Sequence, residues 1–317
     1  MIEKLHIQNY RLFKDLKIEK LSQINLIGGK NNSGKTALLE ALRILGANAH
    51  KLVINDIIAN RGDFQLGDNS CYKSLFSFKS LPIDEMVNKL KINGITIEEF
   101  GPEVEFDDSY KNPLSDNFSP RNFTLESDKL IHNPIIGNVL YLPTSLDNVN
   151  DAKFWDKISL TPKEEDVISI LKIIDNRIKI VRYDSGNAKV LLEGEPMPRL
   201  LKNLGEGVNR LFSLALALVN AQNKILLIDE FEVGLHHSIQ KQLWKIIFEY
   251  AKKWDIQVFI TTHSLDTVRS FAEVLDEYEG MGQYMRLQKS RLSGDIEAVV
   301  YDKKSLDISI EQNFETR

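Results

Sequence analysis

Residues 29–36, Gly29-Lys30-Asn31-Asn32-Ser33-Gly34-Lys35-Thr36, constrain this chain more than any other stretch. They match G-x-x-x-x-G-K-[ST] in full, and they stand where that pattern has meaning. Before them Ile24, Leu26 and Ile27 read as a short buried strand, which Gly28 and Gly29 break. After them Ala37, Leu38, Ala41, Leu42 and Leu45 recur at helical spacing. Glycines let consecutive backbone N–H groups wrap a polyphosphate, and the new helix presents its positive end to it. Lys35 is expected to reach the β- and γ-phosphates, with Gly29, Asn31, Asn32, Ser33 and Gly34 completing the cradle. The Thr36 hydroxyl is expected to ligate Mg²⁺. The competing reading is a glycine-rich turn ahead of a core helix. Eight matching positions between a strand and a helix favour the phosphate loop.

Composition removes several alternatives. Among 317 residues 43% are apolar, enough for a substantial core. The net charge of −5 argues against a globally basic nucleic-acid binder, though a local basic patch stays open. One cysteine, Cys71, allows no intrachain disulfide and fits a reducing cytoplasm. The N-terminus has no signal-peptide core, and the greasiest run, 211–219, is interrupted by Ser213 and too short to span a bilayer. A cytoplasmic protein with no membrane association is expected.

Residues 2–18 alternate as two strands around Asn9-Tyr10-Arg11-Leu12-Phe13. Residues 47–150 are the least regular. Strand-like pieces occur at 74–78, 94–100, 103–106, 122–125 and 137–142, and a loop rich in Asp, Ser, Asn and Pro runs over 107–120. From 61 to 150 there are 14 Asp and Glu against 8 Lys and Arg, a poor balance for tracking a phosphate backbone. Glu103, Glu105 and Asp107 alternate either as a metal site or as the solvated face of a strand. Thr161-Pro162-Lys163-Glu164 reads as a capping box opening a helix to about 176. A hairpin is expected over 178–192, turning at 184–187.

From 204 the pattern sharpens. Leu204-Gly205-Glu206-Gly207-Val208-Asn209-Arg210 leads into a greasy helix over 211–221. Residues 224–228 form an apolar strand that ends in Asp229-Glu230. Residues 236–254 form an amphipathic helix, and 256–260 a second buried strand ending in Thr261-Thr262-His263-Ser264. Strands near 284–288 and 296–301 and a last helix close the chain. Short alternating strands and helices argue a largely parallel sheet covered on both faces. Asp229 stands at the Walker B position for Mg²⁺, and Glu230 beside it is the candidate general base. His263, at another strand's C-terminal end, could donate to the γ-phosphate or position the water, or could simply cap the following helix.

The strand, polar bend, strand and phosphate loop at residues 2–36 resemble the opening of the RecF, SMC and OLD group of ABC-type ATPases. The second half strengthens the resemblance. Gly205-Glu206-Gly207 stands where that group carries the signature that caps the opposite subunit's γ-phosphate, with Gly205 in place of the usual serine. Phe231-Glu232-Val233-Gly234-Leu235-His236 resembles the OLD-like loop after Walker B, with Phe231 and His237 where prolines are usual. Between residues 66 and 221 there is no glutamine for the family's Q-loop; Thr144 or Ser145 would take that role. The resemblance implies an α/β P-loop NTPase of the ABC-ATPase head type. Its mixed, largely parallel sheet would carry helices on both faces and an antiparallel β subdomain. Residues 1–317 would form one head, with 47–150 a variable β-rich insertion and 199–317 the signature and Walker B half. No coiled-coil arm is present, and only 54 residues follow His263, so no Toprim nuclease domain is expected.

By that resemblance Asn9 and Arg11 are candidates for adenine or phosphate contacts; otherwise they belong to an ordinary exposed bend. The implied activity is ATP hydrolysis with ATP and Mg²⁺ bound between head-to-tail subunits of a homodimer. A stand-alone OLD-like ATPase of bacterial anti-phage operons would couple nucleotide state to a separately encoded effector, such as a nuclease. DNA is a further candidate partner. A RecF-like repair clamp is the alternative. A transporter's ATP-binding subunit and a non-hydrolysing scaffold fit less well, given the OLD-like loop and the intact Lys35, Asp229, Glu230 and His263.

Overall fold

The computed structural model describes residues 1–61, 75, 89–92, 95–98, 101–105, 135–144, 148–184 and 186–311. The expected loop at 107–120, the strand at 122–125, Asp107, Ser145 and Cys71 lie outside the described residues.

In chain order, β1 (Leu5–Tyr10), β2 (Phe13–Ile18) and β3 (Ile24–Gly28) precede α1 (Lys35–Gly46) and α2 (Lys51–Asn60). Strands β4 (Lys89–Ile92), β5 (Ile95–Glu98), β6 (Gly101–Glu105), β7 (Ile135–Ile136) and β8 (Val139–Leu142) follow. Then come α3 (Asn148–Ile158), α4 (Lys163–Leu171), β9 (Ile178–Asp184), β10 (Asn187–Leu192), β11 (Arg199–Leu200) and α5 (Glu206–Asn220). The last part holds β12 (Ile225–Ile228), α6 (His237–Trp254), β13 (Gln257–Thr261), α7 (Leu265–Leu275), β14 (Gly282–Lys289), β15 (Ile296–Tyr301) and α8 (Lys303–Glu311).

Seven strands form the central sheet, in the order β15-β14-β3-β13-β12-β8-β7. The five inner strands run parallel, and β15 and β7 pair antiparallel at the edges. Every residue of β3 and β13 is buried. The period-2 alternation then divides each strand between two cores. Ile24, Leu26, Leu226, Ile228, Val258 and Ile260 pack with α3–α7, while Ile27, Leu227 and Phe259 pack with α1, α2 and the β1–β2 hairpin. Covering both faces is what a parallel sheet requires, and it leaves strand ends as the place for polar chemistry.

A five-stranded antiparallel sheet, β2-β1-β4-β5-β6, and a three-stranded one, β11-β10-β9, flank this platform. The first docks on the phosphate loop. A Cβ built on Gly34 would come within 2.9 Å of the Phe13 ring, so the hairpin lies directly against the loop's second glycine.

Three local expectations are corrected. Helix α5 begins at Glu206, five residues before the greasy run, because Gly205 at φ 110 ends a 3-10 turn over Leu201–Leu204 and releases the chain into helix. The capping box before α4 does not form. Thr161 Oγ1 instead donates to the Ile158 carbonyl at the end of α3 (2.6 Å), and the Glu164 carboxylate accepts from the Leu160 N–H (3.1 Å). The preceding helix, ending three residues earlier, leaves carbonyls that need a donor more than the new helix needs a cap. That new helix stops at Leu171 rather than near 176, its end turning through i→i−3 bonds at Ile173 and Ile174.

A buried carboxyl links α3 to α5. Asp151 is 8% exposed and accepts the Ser213 hydroxyl at 2.8 Å. Burial pushes its carboxyl up to about 7, from 3.8 in an unfolded chain, with Ser213 and Arg210 opposing the rise. The folded state therefore holds a proton that the unfolded chain releases, so stability is lost as pH rises from about 3.8 to about 7. Asp151→Asn keeps an acceptor for Ser213 and removes the charge. It is expected to raise Tm at pH 8 and leave it unchanged at pH 4, measured by thermal unfolding with circular dichroism.

Candidate active site

The C-terminal ends of three adjacent parallel strands carry the candidate residues. After β3 comes the phosphate loop, after β12 come Asp229 and Glu230, and between them β13 ends in Thr261-Thr262-His263. Hydrogen bonds fasten these ends together. The Thr262 N–H donates to the Ile27 carbonyl (3.0 Å), the Phe231 N–H to the Thr261 carbonyl (3.0 Å), and the Asp229 N–H to the Leu142 carbonyl (3.0 Å).

The loop has the geometry its glycines allow. Gly29, Asn32 and Gly34 take φ of 147°, 61° and 99°. A Cβ on Gly29 would meet the Ser33 hydroxyl at 2.5 Å and the Leu287 carbonyl at 2.7 Å, so only glycine fits there. Lys35 is 8% exposed, and its ammonium donates to the Gly29 (2.6 Å) and Lys30 (3.0 Å) carbonyls. Burial lowers its pKa, while the carboxylates of Glu230, Glu232 and Asp229 act in the opposite sense. Ser33 Oγ is buried with no hydrogen-bond partner among the described residues. A buried orphan hydroxyl beside a lysine satisfied only by loop carbonyls is what a polyphosphate's oxygens would complete. Asn31 and Asn32 are exposed, and Thr36 is half-buried at the second position of α1. A cleft of about 930 Å³ opens beside residues 30–33, against the end of β14 and the turn into β15.

Thr261 organises the carboxylates. Its hydroxyl donates to Asp229 Oδ1 (2.6 Å) and accepts the Glu230 N–H (2.9 Å). Asp229 is 7% exposed, and its other oxygen lies 3.5 Å from the Tyr141 hydroxyl. Glu230 is held at φ 49, a left-handed conformation unusual for a non-glycine residue. Strain of that kind costs on the order of 1–3 kcal/mol and survives only where the surroundings impose it. Thr36 hydroxyl and Asp229 carboxylate are hard oxygen donors of the kind Mg²⁺ takes. Among the described residues no group of three or more His, Cys, Asp or Glu could hold a metal.

His263 is exposed, with Nδ1 3.7 Å from Glu230 Oε1 and 3.4 Å from Glu232 Oε1. Gly205 and Glu206 are exposed at the start of α5, and Gly207 is half-buried. A Cβ on Gly207 would come within 2.7 Å of the Gly234 carbonyl, so the signature turn packs on the loop that follows Asp229 and Glu230. Phe231, standing where a proline was expected, anchors that loop by stacking on Trp244 (4.5 Å). Arg11 turns away from solvent, its Nε 2.8 Å from Glu40 of α1, which also takes Arg61 (2.9 Å) and the Tyr10 hydroxyl (3.2 Å). Asn9 is half-buried at φ 54. Arg11 thus ties the bend to α1. Thr144 is half-buried beside Pro143.

Three residues were not singled out from sequence: Thr261, Glu232 and Arg210. Arg210, 2% exposed, donates to the Pro143 (2.6 Å) and Asp229 (2.9 Å) carbonyls, joining α5 to two strand ends. Burial lowers its pKa, with Asp229 the largest opposing influence. A lone arginine in an otherwise greasy helix was the available signal.

Residues 24–269 match the family described as "AAA domain, putative AbiEii toxin, Type IV TA system". The chain belongs to this AAA-domain family. It is thus an AAA-type P-loop ATPase domain. It is similar to a Helicobacter pylori protein named ATP/GTP phosphatase, 26% identical over 332 residues that cover 87% of this chain and 88% of that protein. Among solved structures, an Smc head bound to the C-winged helix domain of ScpA matches with a TM-score of 0.57 at 11% identity, covering 98% of this chain and 99% of that one. The SMC head domain from Thermotoga maritima matches at 0.51 with 15% identity, over 95% and 98%. At these identities the likeness is one of fold, and the AAA domain has the mixed, mostly parallel architecture of an SMC/ABC ATPase head. Among the described residues no helix is long and apolar enough to cross a membrane.

Lys35→Ala is expected to abolish ATP binding while the far-UV circular dichroism spectrum and Tm stay near wild type, because the loop sits on a sheet formed without it. Isothermal titration with ATP and Mg²⁺ measures the loss; an unchanged Kd would remove Lys35 from the phosphate site.

Proposed function

We propose that this ATPase hydrolyses ATP with Glu230 as general base, at a site completed by a second copy of the chain. The observation that carries this is the strained Glu230, fixed by Thr261 beside Asp229 on the strand end that faces Lys35. Residues 29–36 hold the phosphates and Lys35 spans the β- and γ-phosphates. Thr36 and Asp229 would hold Mg²⁺, which neutralises charge on the phosphate oxygens as the transferred group departs. Glu230 takes a proton from water as the water oxygen bonds to the γ-phosphorus. The bond from that phosphorus to the β-phosphate's bridging oxygen breaks, releasing ADP and phosphate. His263 positions that water, its ring Nε2 accepting the water's other hydrogen.

The signature turn, Gly205-Glu206-Gly207, acts on the opposite subunit. Gly205 is exposed with open space around it among the described residues, and its φ of 110 disfavours the serine usual in ABC-type signatures. The amides at the start of α5 then supply the anion contact in place of a hydroxyl. Dimer closure by ATP requires that ATP bind the closed state better than the open one. The biological reading is an OLD-like ATPase that gates a separately encoded effector in bacterial defence. It is supported by the family description and by solved SMC heads that bind ScpA.

Glu230→Gln tests this directly. The amide keeps the side chain's size but cannot take the proton, so turnover is expected to fall by ~10²–10⁴. Loss of a negative charge near the γ-phosphate should hold or raise ATP affinity, and the variant should accumulate as a dimer with ATP but not ADP. Phosphate release and light scattering read the two effects. Wild-type turnover would remove Glu230 as the base, and a monomer at saturating ATP would remove the two-subunit site.

A further inference from the structure

Glu232 lies outside the phosphate loop, the Asp229–Glu230 pair and the signature. Yet its carboxylate is only 13% exposed and is surrounded by the end of β13. One oxygen accepts the Thr262 hydroxyl at 2.7 Å. The other accepts the His263 N–H at 2.9 Å and stands 3.4 Å from His263 Nδ1. A single side chain thus grips the backbone before the imidazole and faces one of its ring nitrogens. The other charged group facing that nitrogen is Glu230, at 3.7 Å.

We infer that Glu232 is the positioning residue for His263: it fixes the ring's orientation and keeps the proton on Nδ1, so that Nε2 is left as the acceptor that faces the attacking water. A carboxylate stabilises the tautomer whose N–H faces it, and which nitrogen carries the proton is set by the partner of the other. Glu232 is not a catalytic residue in this account, since the reacting water is met by His263. Its loop also ties the imidazole to the signature turn, because the Gly234 carbonyl packs on Gly207. The stacked Phe231 and Trp244 rings hold the other end of that loop. This inference rests on the role proposed for His263, and its test separates the two.

The experiment compares wild type, Glu232→Ala, Glu232→Gln, His263→Ala and the double variant Glu232→Ala/His263→Ala. Steady-state phosphate release gives kcat and KM for ATP, and ¹⁵N NMR of histidine-labelled protein gives the His263 tautomer without nucleotide. Glu232→Ala is expected to lower kcat on the order of 10–100-fold, the usual loss when a group orienting a functional histidine is removed. KM should stay within about twofold. Glu232→Gln should lie between, since its amide oxygen still accepts one of the two hydrogens. In the His263→Ala background Glu232→Ala should add nothing, the non-additivity expected of residues acting as one unit. The resonances should show Nδ1 protonated in wild type and a shift toward Nε2 protonation in both Glu232 variants. Equal kcat losses from Glu232→Ala with and without His263 would overturn the inference, as would an unchanged tautomer. If Glu232→Ala does not fold, Glu232→Gln carries the same comparisons. Wild-type turnover in His263→Ala would sink the role proposed for His263 and leave the tautomer result standing.

Discussion

The burial of five parallel strands on both faces is the constraint on which the rest depends. Once β14, β3, β13, β12 and β8 are closed in by helices on one side and by α1, α2 and the β1–β2 hairpin on the other, polar groups can emerge only at strand ends. Three neighbouring C-terminal ends carry the phosphate loop, the carboxylate pair and His263. The parallel register makes them level: Ile27 sits opposite Thr261, and Ile228 opposite Ile260. Chemistry here is a by-product of where a fully covered sheet must stop.

What the sequence made legible follows from the same constraint. Apolar runs bounded by glycine, by an acidic pair or by Thr261-Thr262-His263 located β3, β12 and β13, and alternation located β9 and β10. The phosphate loop was legible because its glycines are required by backbone angles that other residues avoid. Helix boundaries were less so. The start of α5 depended on a 3-10 turn, and the capping box lost to the Ile158 carbonyl, which takes both the amide and the hydroxyl of Thr161. Both are tertiary outcomes, in which a neighbouring element's needs outweigh local preference. Arg11 shows another partner that local sequence does not mark: Glu40 of α1, 29 residues further on, pairs with its guanidinium.

Thr261, Arg210 and Glu232 escaped notice because their work is done on backbone. Thr261 and Glu232 each hold an amide and a neighbouring side chain; Arg210 holds two carbonyls. No spacing rule marks a residue whose partners are main-chain atoms of another strand. Only the fold brings them together.

The strained Glu230 gives these contacts a common purpose. A left-handed residue at the end of a strand would relax if the chain could swing, and four fixed points stop it. The Thr261 hydroxyl takes its amide, Arg210 takes the Asp229 carbonyl just before it, Phe231 is clamped by Trp244 just after it, and Glu232 fastens the next turn to β13. Three of the four anchors belong to elements other than Glu230's own strand and loop: β13, α5 and α6. Movement of α5 against the sheet would therefore reach the carboxylate through Arg210 and through Gly207 on Gly234. The first turn of that same helix starts at Glu206 and Gly207, so a contact made there has a short covalent and hydrogen-bonded path to the Glu230 carboxylate.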